Sequence, residues 1–452
     1  MAQPIPLEAA LSLHSLERPD LRAGGEPTRA ASQALGKGEQ QQGEGELWVE
    51  GGIRGWCNCA GAFLVLLCTF GYAASFGVYQ SYYQLNQYNH LSASTISWIG
   101  STALGIEFCF AFVAGPLFDR GYFRILMITG SVGFAVCVFM TSLCHSFWQS
   151  FLTQAIGLGI SMGLVYIPSV SVLNHYFLRR RALAMGIAMS GASLGGIVFP
   201  IMLNHLFASI GFAAAVRASG YVIVGGLILA NLLMSSRYPP AKHDEFGIKK
   251  PRPSAFRIWG EPRYFLTVIG TSCLFLGLYF PITYIQVFAE TQNLPRSVSD
   301  NTIVILNVAS FFGRIVPNFL GDTFGVFTLL TSCGAGISVL IFALYGATNS
   351  AGLIIIILLF GFFSGGVVAL TSPLLIATAD DISEIGVRQG HALVFNGLAA
   401  LVCTPISGAL LAAGNDDFKY AIAFAGAITM LGAVTMLGAR HFQARQLGTW
   451  KV

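Results

Sequence analysis

Charge is what this sequence has least of. Only 10% of its 452 residues are Asp, Glu, Lys or Arg, whereas soluble domains carry about 25%. Hydrophobic residues make up 54% of the chain, and they come in long blocks separated by short polar segments. Each block has about the 20 residues that a helix needs to cross the hydrocarbon core of a bilayer. The composition therefore excludes a water-soluble fold and predicts an all-α membrane protein.

Patterns typical of several other protein classes are also missing. No basic run is long enough for nucleic acid, although the formal net charge is +4. The nine cysteines form no Cys-x-x-Cys pair, so they are interpreted as packing residues rather than as a disulfide or zinc framework. Clustered catalytic groups at membrane depth are absent from the sequence, which disfavours an enzyme, and we expect neither a cofactor nor a metal. Residues 1–50 are polar and predict a disordered cytosolic tail.

Hydropathy and helix-breaking residues together predict twelve membrane-spanning helices. Their predicted ranges are 56–80, 95–117, 124–143, 148–174, 183–206, 213–235, 264–289, 300–321, 326–347, 352–378, 391–413 and 418–439. An even number of spans places both chain ends on the same side of the membrane.

The distribution of Lys and Arg predicts which side that is. If the N-terminus lies inside, 21 of the 23 cations in loops and tails lie on the cytosolic side, and only Arg296 and Lys419 lie outside. Cytosolic loops of membrane proteins carry an excess of these residues. Both termini are therefore predicted to be cytosolic. The predicted location of the protein is the plasma membrane or, alternatively, a vacuolar or other organelle membrane.

An internal duplication divides the predicted helices into two sets of six. Similar residues recur at nearly constant offsets of 203 to 206 positions in five pairs: Gly71 and Gly277, Gln80 and Gln286, Asp119 and Asp322, Pro168 and Pro373, and Pro200 and Pro405. Parallel halves of this kind are the arrangement of the major facilitator fold, with a binding site between them near the midplane. The predicted divisions are a tail at 1–50, a six-helix half at 51–235, a cytosolic linker at 236–263, a second half at 264–440 and a short tail at 441–452.

Residues 115–124, between predicted helices 2 and 3, resemble the loop signature of the major facilitator proteins, and residues 320–325 form a weaker copy. An Asp at a helix end can pair with an Arg or cap a neighbouring helix N-terminus. Such contacts would hold the two halves together on the cytosolic side, although an ordinary solvated turn is the alternative. The residues predicted to take part in this gating are Asp119, Arg120, Arg124 and Asp322.

Two further segments resemble the signatures of the monocarboxylate porter family, and specifically of its fungal branch. They are residues 50–56 before predicted helix 1 and residues 176–186 between helices 4 and 5. The first departs from the family pattern, because Glu50 and Ile53 stand where an Asp and an aromatic residue are usual. Within the second, Arg179, Arg180 and Arg181 are also predicted to contribute to gating.

Two charged residues lie inside predicted spans, where topology cannot explain them. Arg314 lies eight residues before Asp322, or roughly 12 Å into the membrane. An ionised side chain there costs on the order of 3 kcal/mol unless it faces water or a partner. Glu107 lies twelve residues before Asp119, and a carboxylate at that depth is suited to bind and release a proton. The alternative for Arg314 is a purely structural ion pair, and the alternative for Glu107 is a cavity-lining residue or the structural partner of a polar group on another helix.

The family resemblance implies a role for Arg314, because monocarboxylate porters carry an Arg at this place on helix 8, thought to meet the substrate carboxylate. Asn307, Ser310 and Arg314 are the predicted substrate contacts. The family's Asp one turn earlier is replaced here by Ser310, and its helix 1 Lys by Ala74. A proton–lactate mechanism therefore does not carry over whole, and Glu107 is the candidate for proton coupling.

These observations predict a secondary active transporter of a small or amphipathic organic acid, working by alternating access, with coupling to protons left open. An efflux carrier that exports a fungal secondary metabolite is the alternative, and a nutrient sensor with the same fold is a remote one. The expected partners are an organic anion or hydrophobic small molecule and the lipid bilayer, with no nucleic acid.

Overall fold

The structure is a computed structural model. It describes residues 50–237, 255–292, 295, 301–347, 349–380, 384–414 and 417–452. The chain divides into the units Met1–Val49 and Glu50–Val452, and every contact discussed below lies within the second unit. The predicted disordered tail thus lies outside the described residues except for Glu50, and so does most of the predicted linker.

Twelve helices in the described part of the chain are long and apolar enough to span a membrane. They are α1 Gly52–Gln87, α2 Ala93–Asp119, α3 Phe123–Thr141, α4 Phe147–His175, α5 Arg181–Ile210, α6 Phe212–Leu233, α7 Pro262–Thr291, α8 Thr302–Phe324, α9 Val326–Ala343, α10 Ser350–Ala377, α11 Ile385–Ala413 and α12 Lys419–Leu447. A short helix, Ala255–Trp259, precedes α7.

The surface of the helix bundle is apolar and therefore unsuited to water. Along α3 the apolar side chains of Ile128, Val132, Val136 and Met140 are exposed at a spacing of four residues, so one whole face is apolar. A monomeric soluble protein rarely exposes so large an apolar patch. This face is suited to acyl chains, as expected for a multi-pass membrane protein.

The two six-helix halves meet along two pairs of helices. Helix α2 of the first half packs on α11 of the second, and α8 of the second half packs on α5 of the first. The prolines that suggested the duplication lie inside matching helices, Pro168 in α4 with Pro373 in α10, and Pro200 in α5 with Pro405 in α11.

The observed helix ends correct three expectations. Helix α1 continues to Gln87 rather than 80, and it contains π-helical turns at Leu67–Gly71 and Tyr83–Gln87. Helix α12 continues to Leu447, so most of the predicted C-terminal tail is helical. Helix α11 begins at Ile385 rather than 391, because its first turn is stabilised by contacts from other helices that the apolar pattern does not show. Arg388 is therefore a buried helical residue and not a loop cation.

Candidate substrate cavity and gating contacts

A cavity of about 490 Å³ lies between the two halves. Helices α1, α2, α4 and α5 of the first half and α7, α8, α10 and α11 of the second half all contribute to its wall. The volume is within the range of sites that bind drug-sized molecules. The duplication predicted a site at this interface, and the cavity lies there.

Most of the cavity wall is apolar and aromatic. Its aromatic members are Phe70, Tyr72, Phe76, Tyr79, Phe108, Tyr166, Phe275 and Tyr279. Such rings contact a hydrophobic or aromatic molecule over a large area at little cost in conformational entropy.

Arg314 lines this cavity from α8, together with Asn307 and Ser310 on the same helix. Its Nη1 donates to the carbonyl oxygen of Met189 in α5 at 2.6 Å, while its buried Nε has no partner among the described residues. The ion pairs found in the described part of the chain do not include Arg314. A guanidinium with spare donors in an aromatic cavity is suited to bind an anion.

The other two predicted substrate contacts, Ser310 and Asn307, form hydrogen bonds within the protein. Ser310 Oγ accepts a hydrogen bond from Ser193 Oγ of α5 at 3.3 Å. Asn307 Nδ2 donates to the carbonyl oxygen of Ile303 at 3.1 Å. The structure thus brings Asn307, Ser310 and Arg314 to one wall of the cavity, with the strongest free hydrogen-bonding capacity on Arg314.

Glu107 lies behind the cavity wall rather than on it. Its side chain is 1% exposed, and neither carboxylate oxygen has a hydrogen-bond partner in the described ranges. The next residue, Phe108, lines the cavity. Tyr166 and Tyr279, also in the wall, interact electrostatically with both Glu107 and Arg314. The two intramembrane charges therefore share one neighbourhood without forming an ion pair.

Asp119 and Asp322 make equivalent contacts between the halves. Asp119, the last residue of α2, accepts from the backbone N–H groups of Gly386 and Val387 at the start of α11, both at 2.9 Å. Asp322, near the end of α8, accepts from the N–H groups of Ala182 and Leu183 at the start of α5, also both at 2.9 Å. A carboxylate at a helix N-terminus satisfies free donors and complements the helix dipole.

We call these two arrangements the α2–α11 acid contact and the α8–α5 acid contact. The predicted gating role of the two aspartates stays a prediction, but the geometry it requires is present. Side-chain hydrogen bonds add to the closure at this end of the bundle: Ser171 in α4 donates to Gln389 in α11, and the hydroxyls of Tyr166 and Ser372 lie 3.3 Å apart.

Backbones touch where the acid contacts form. A Cβ added to Gly115 in α2 would lie 2.1 Å from the carbonyl oxygen of Gly386, and one added to Gly186 in α5 would lie 2.3 Å from that of Arg314. Farther along α2, a Cβ on Gly105 would lie 3.5 Å from the nearest atom of Leu401, which is an ordinary contact. The halves are therefore closed against each other at the Asp119 end and packed less tightly towards the other end of α2.

The predicted gating arginines make three different kinds of contact. Arg181, the first residue of α5, interacts electrostatically with Asp322 and Glu50, so it belongs to the α8–α5 acid contact. Arg120 is exposed, and Arg124 donates to the carbonyl oxygen of Asn231 within the first half at 2.5 Å. The backbone N–H groups of Arg179 and Arg180, rather than their charges, make the recorded contacts, and these are with Glu50.

Sequence reasoning missed a buried ionic network beside α11. Arg388 is fully buried and pairs with Glu261 and Glu384, while Arg263 pairs with Glu261 and Asp380. Burial opposes ionisation of Glu261, but hydrogen bonds and positive charge from Arg388, and then from Arg263, outweigh it and lower the pKa of Glu261. The four-residue spacing of Glu384 and Arg388 was the available signal.

Comparison with known proteins supports the same architecture. Residues 62–381 match the family model described as Major Facilitator Superfamily. Over 369 residues the chain is 38% identical to the Aspyridones efflux protein of Emericella nidulans, covering 81% of this chain and 74% of that protein. Over 352 residues it is 34% identical to the Agnestins efflux protein of Paecilomyces divaricatus, covering 78% of this chain and 79% of that protein.

Among solved structures, the chain is similar to the E. coli fucose:proton symporter. The TM-score is 0.66 at 16% sequence identity, and the match covers 86% of this chain and 98% of that chain. A likeness at this identity concerns the fold alone. With the family match, it confirms the predicted all-α fold of twelve helices in two six-helix halves.

Proposed function

Because this chain belongs to the Major Facilitator Superfamily and is therefore a transporter, we propose that it exports an amphipathic organic acid by alternating access. The observation that carries this proposal is Arg314, a cation with spare hydrogen-bond donors in the wall of a mostly apolar cavity that contains eight aromatic residues. An aromatic wall favours a hydrophobic body, and the guanidinium favours an anionic head. The names of the two relatives, both efflux proteins, support export as the direction.

Arg314 binds the anionic head of the substrate in this proposal. The guanidinium can offer a carboxylate two parallel N–H donors, which a lysine ammonium cannot do. The motif at residues 176–186 and the position of Arg314 support placement in the fungal branch of the monocarboxylate porters. Ser310 and Ala74, which replace two charges of the lactate-type members, favour a larger and less polar substrate than lactate.

The gating part of the proposal assigns the two acid contacts to the closed cytosolic side. The sequence supports this side, because most Lys and Arg residues of the predicted loops and tails lie there. In this state Asp119 and Asp322 would close the cavity towards the cytosol. Breaking both acid contacts would let the halves rock to the opposite state, as expected for this fold. The plasma membrane is the location that suits export.

Glu107 is the proposed proton carrier. It is buried beside the cavity wall, lacks a partner among the described residues and shares the neighbours Tyr166 and Tyr279 with Arg314. Protonation of such a carboxylate removes the cost of a buried charge. An inward proton gradient could then drive export of the acid.

The test of the substrate class uses purified protein in sealed vesicles. We would measure uptake of a panel of drug-sized amphipathic carboxylic acids and of their neutral methyl esters, with mass-spectrometric detection. The wild-type protein should move at least one acid and not its ester. Arg314→Ala should reduce that transport at least about 30-fold, since two charge-assisted hydrogen bonds together contribute about 2 kcal/mol or more.

Two further variants make this test specific. Arg314→Lys should be nearly as poor as Arg314→Ala, because a point charge does not reproduce the fork of a guanidinium. The matched control is Arg217→Ala, since Arg217 in α6 bonds Ser142 and does not line the cavity. Equal transport of acids and esters, or normal transport by Arg314→Ala, would contradict the proposed anion site.

A further inference from the structure

The N-terminal turns of α5 and α11 each receive an aspartate from the opposite half of the transporter. An acid contact of this kind works only if the backbone N–H groups of the turn point at the carboxylate. Something within the same half must therefore hold that turn in place. The structure shows a glutamate in this position in both halves.

In the second half this glutamate is Glu261, which directly precedes α7. It accepts from both terminal nitrogens of Arg388, from Nη1 at 2.8 Å and from Nη2 at 2.9 Å. Arg388 is in the first turn of α11, one residue beyond Val387, whose N–H group binds Asp119. Glu384 and the Tyr264 hydroxyl also bond Arg388, at its side chain and its carbonyl oxygen respectively. The first turn of α11 is therefore tied to the start of α7.

In the first half the corresponding residue is Glu50, which lies two residues before α1. Its carboxylate accepts from three consecutive backbone N–H groups, those of Leu178 at 3.3 Å, Arg179 at 2.9 Å and Arg180 at 2.8 Å. These residues immediately precede α5, whose second and third N–H groups bind Asp322. The start of α5 is thus tied to the start of α1.

The two arrangements use different chemistry for the same connection. Glu50 binds the backbone directly, whereas Glu261 binds through the side chain of a fully buried arginine. In each half the first helix is tied to the fifth helix, at the turn that the other half caps. A connection that recurs with different residues is not explained by the packing of one particular loop.

We propose that Glu261 and Glu50 are positioning residues of the transport cycle, which hold the first turns of α11 and α5 in the orientation that Asp119 and Asp322 can cap. This inference rests on the gating role proposed for the two acid contacts.

The test compares how often the Asp119 end opens. Reporter cysteines replace Ser372, which is 2% exposed between the halves at that end, or Ser101, which lines the cavity. The nine native cysteines are first replaced by alanine or serine. Labelling rates with a small maleimide are measured on purified full-length protein in lipid nanodiscs. Glu261→Gln should raise the Ser372 to Ser101 labelling ratio by about threefold to tenfold, as expected for partial loss of a helix-capping contact.

Matched variants separate positioning from folding and from the acid contact itself. Asp380→Asn removes a 2.6 Å ion pair of the same network that does not touch Arg388, and it should change the ratio by less than about 1.5-fold. Glu261→Asp keeps the charge and should restore part of the closed population. Glu50→Gln, which leaves Arg181 the charge of Asp322, should raise the ratio by a factor similar to that of Glu261→Gln.

Double variants give the decisive outcomes. If Glu261 acts through Asp119, adding Glu261→Gln to Asp119→Asn should raise the ratio less than it does in the wild-type background. If the effects of Glu261→Gln and Asp119→Asn on the labelling ratio multiply fully in the double variant, the positioning role is wrong. It is also wrong if Asp119→Asn shifts the ratio while neither glutamate variant changes it. Both outcomes would leave the gating function standing. No shift in Asp119→Asn or Asp322→Asn would instead overturn the gating function on which it rests.

Discussion

A substitution where the backbones of the two halves come close together should strongly affect closure. Gly386 in α11 faces Gly115 in α2, and a Cβ added to Gly386 would lie 2.3 Å from the carbonyl oxygen of Gly115 and 2.6 Å from Oδ1 of Asp119. Contacts below 3.0 Å are not tolerated, so the helices must separate by about 0.7 Å. Gly386→Ala should therefore oppose closure at the Asp119 end while leaving each half intact.

The size of the effect follows from two losses. Forcing one methyl group into a packed interface costs about 1–3 kcal/mol. The same separation would lengthen the two 2.9 Å bonds of Asp119 to about 3.6 Å, a distance at which a hydrogen bond is lost, at a further cost of about 1 kcal/mol. Together these amount to about 2–4 kcal/mol, which shifts the balance between the two states by about 30-fold to several hundredfold.

The Ser372 and Ser101 cysteine reporters measure this shift directly. Gly386→Ala should make the Ser372 position readily labelled. The matched control is Gly105→Ala on the same helix pair, where the added Cβ would lie 3.5 Å from Leu401 and should be tolerated. If Gly386→Ala and Gly105→Ala label alike, the close approach of α2 and α11 does not govern closure, and the reasoning is wrong.

Two further predictions concern the charged residues. Asp119→Asn and Asp322→Asn should each raise the Ser372 to Ser101 labelling ratio by about fivefold or more, because each removes a charge from a helix N-terminus. If labelling matches that of the wild-type protein, both residues lie in ordinary solvated turns without a gating role. Glu107→Gln, which imitates the protonated carboxyl, should preserve exchange of substrate across vesicle membranes but abolish its response to a pH gradient, and gradient-driven accumulation at the wild-type level would end the proton hypothesis.

The fold was predictable because membrane insertion leaves a strong signal. Twenty-residue apolar blocks, short loops and the recurrence of Pro168 as Pro373 were enough to give twelve helices in two halves. Helix ends were harder, because they depend on contacts rather than on hydropathy. Helix α11 begins six residues before its predicted start, since its first turn is stabilised by Asp119 and by the pairing of Arg388 with Glu261.

The site was predictable only where charge conflicts with its surroundings. Arg314 and Glu107 stood out because an ionised group in hydrocarbon needs a reason, and the structure places Arg314 in the cavity wall and Glu107 behind it. Asp119 and Asp322 stood out through the duplication. Glu50 stood out only as the first residue of a family signature, and Glu261 did not stand out, because a glutamate before a helix is ordinary in sequence and becomes informative only through its contacts in the structure.

Efflux from living cells would show whether this chain exports an amphipathic organic acid held by Arg314. Yeast cells that express the wild-type chain, Arg314→Ala or Arg217→Ala at equal surface levels would be loaded with a panel of drug-sized amphipathic carboxylic acids, and the loss of each acid would be followed by mass spectrometry. We expect cells with the wild-type chain or Arg217→Ala to lose at least one acid faster than cells without the transporter, and Arg314→Ala to remove this advantage. An equal rate of loss from Arg314→Ala and wild-type cells, or net accumulation of the acids in wild-type cells, would contradict this expectation.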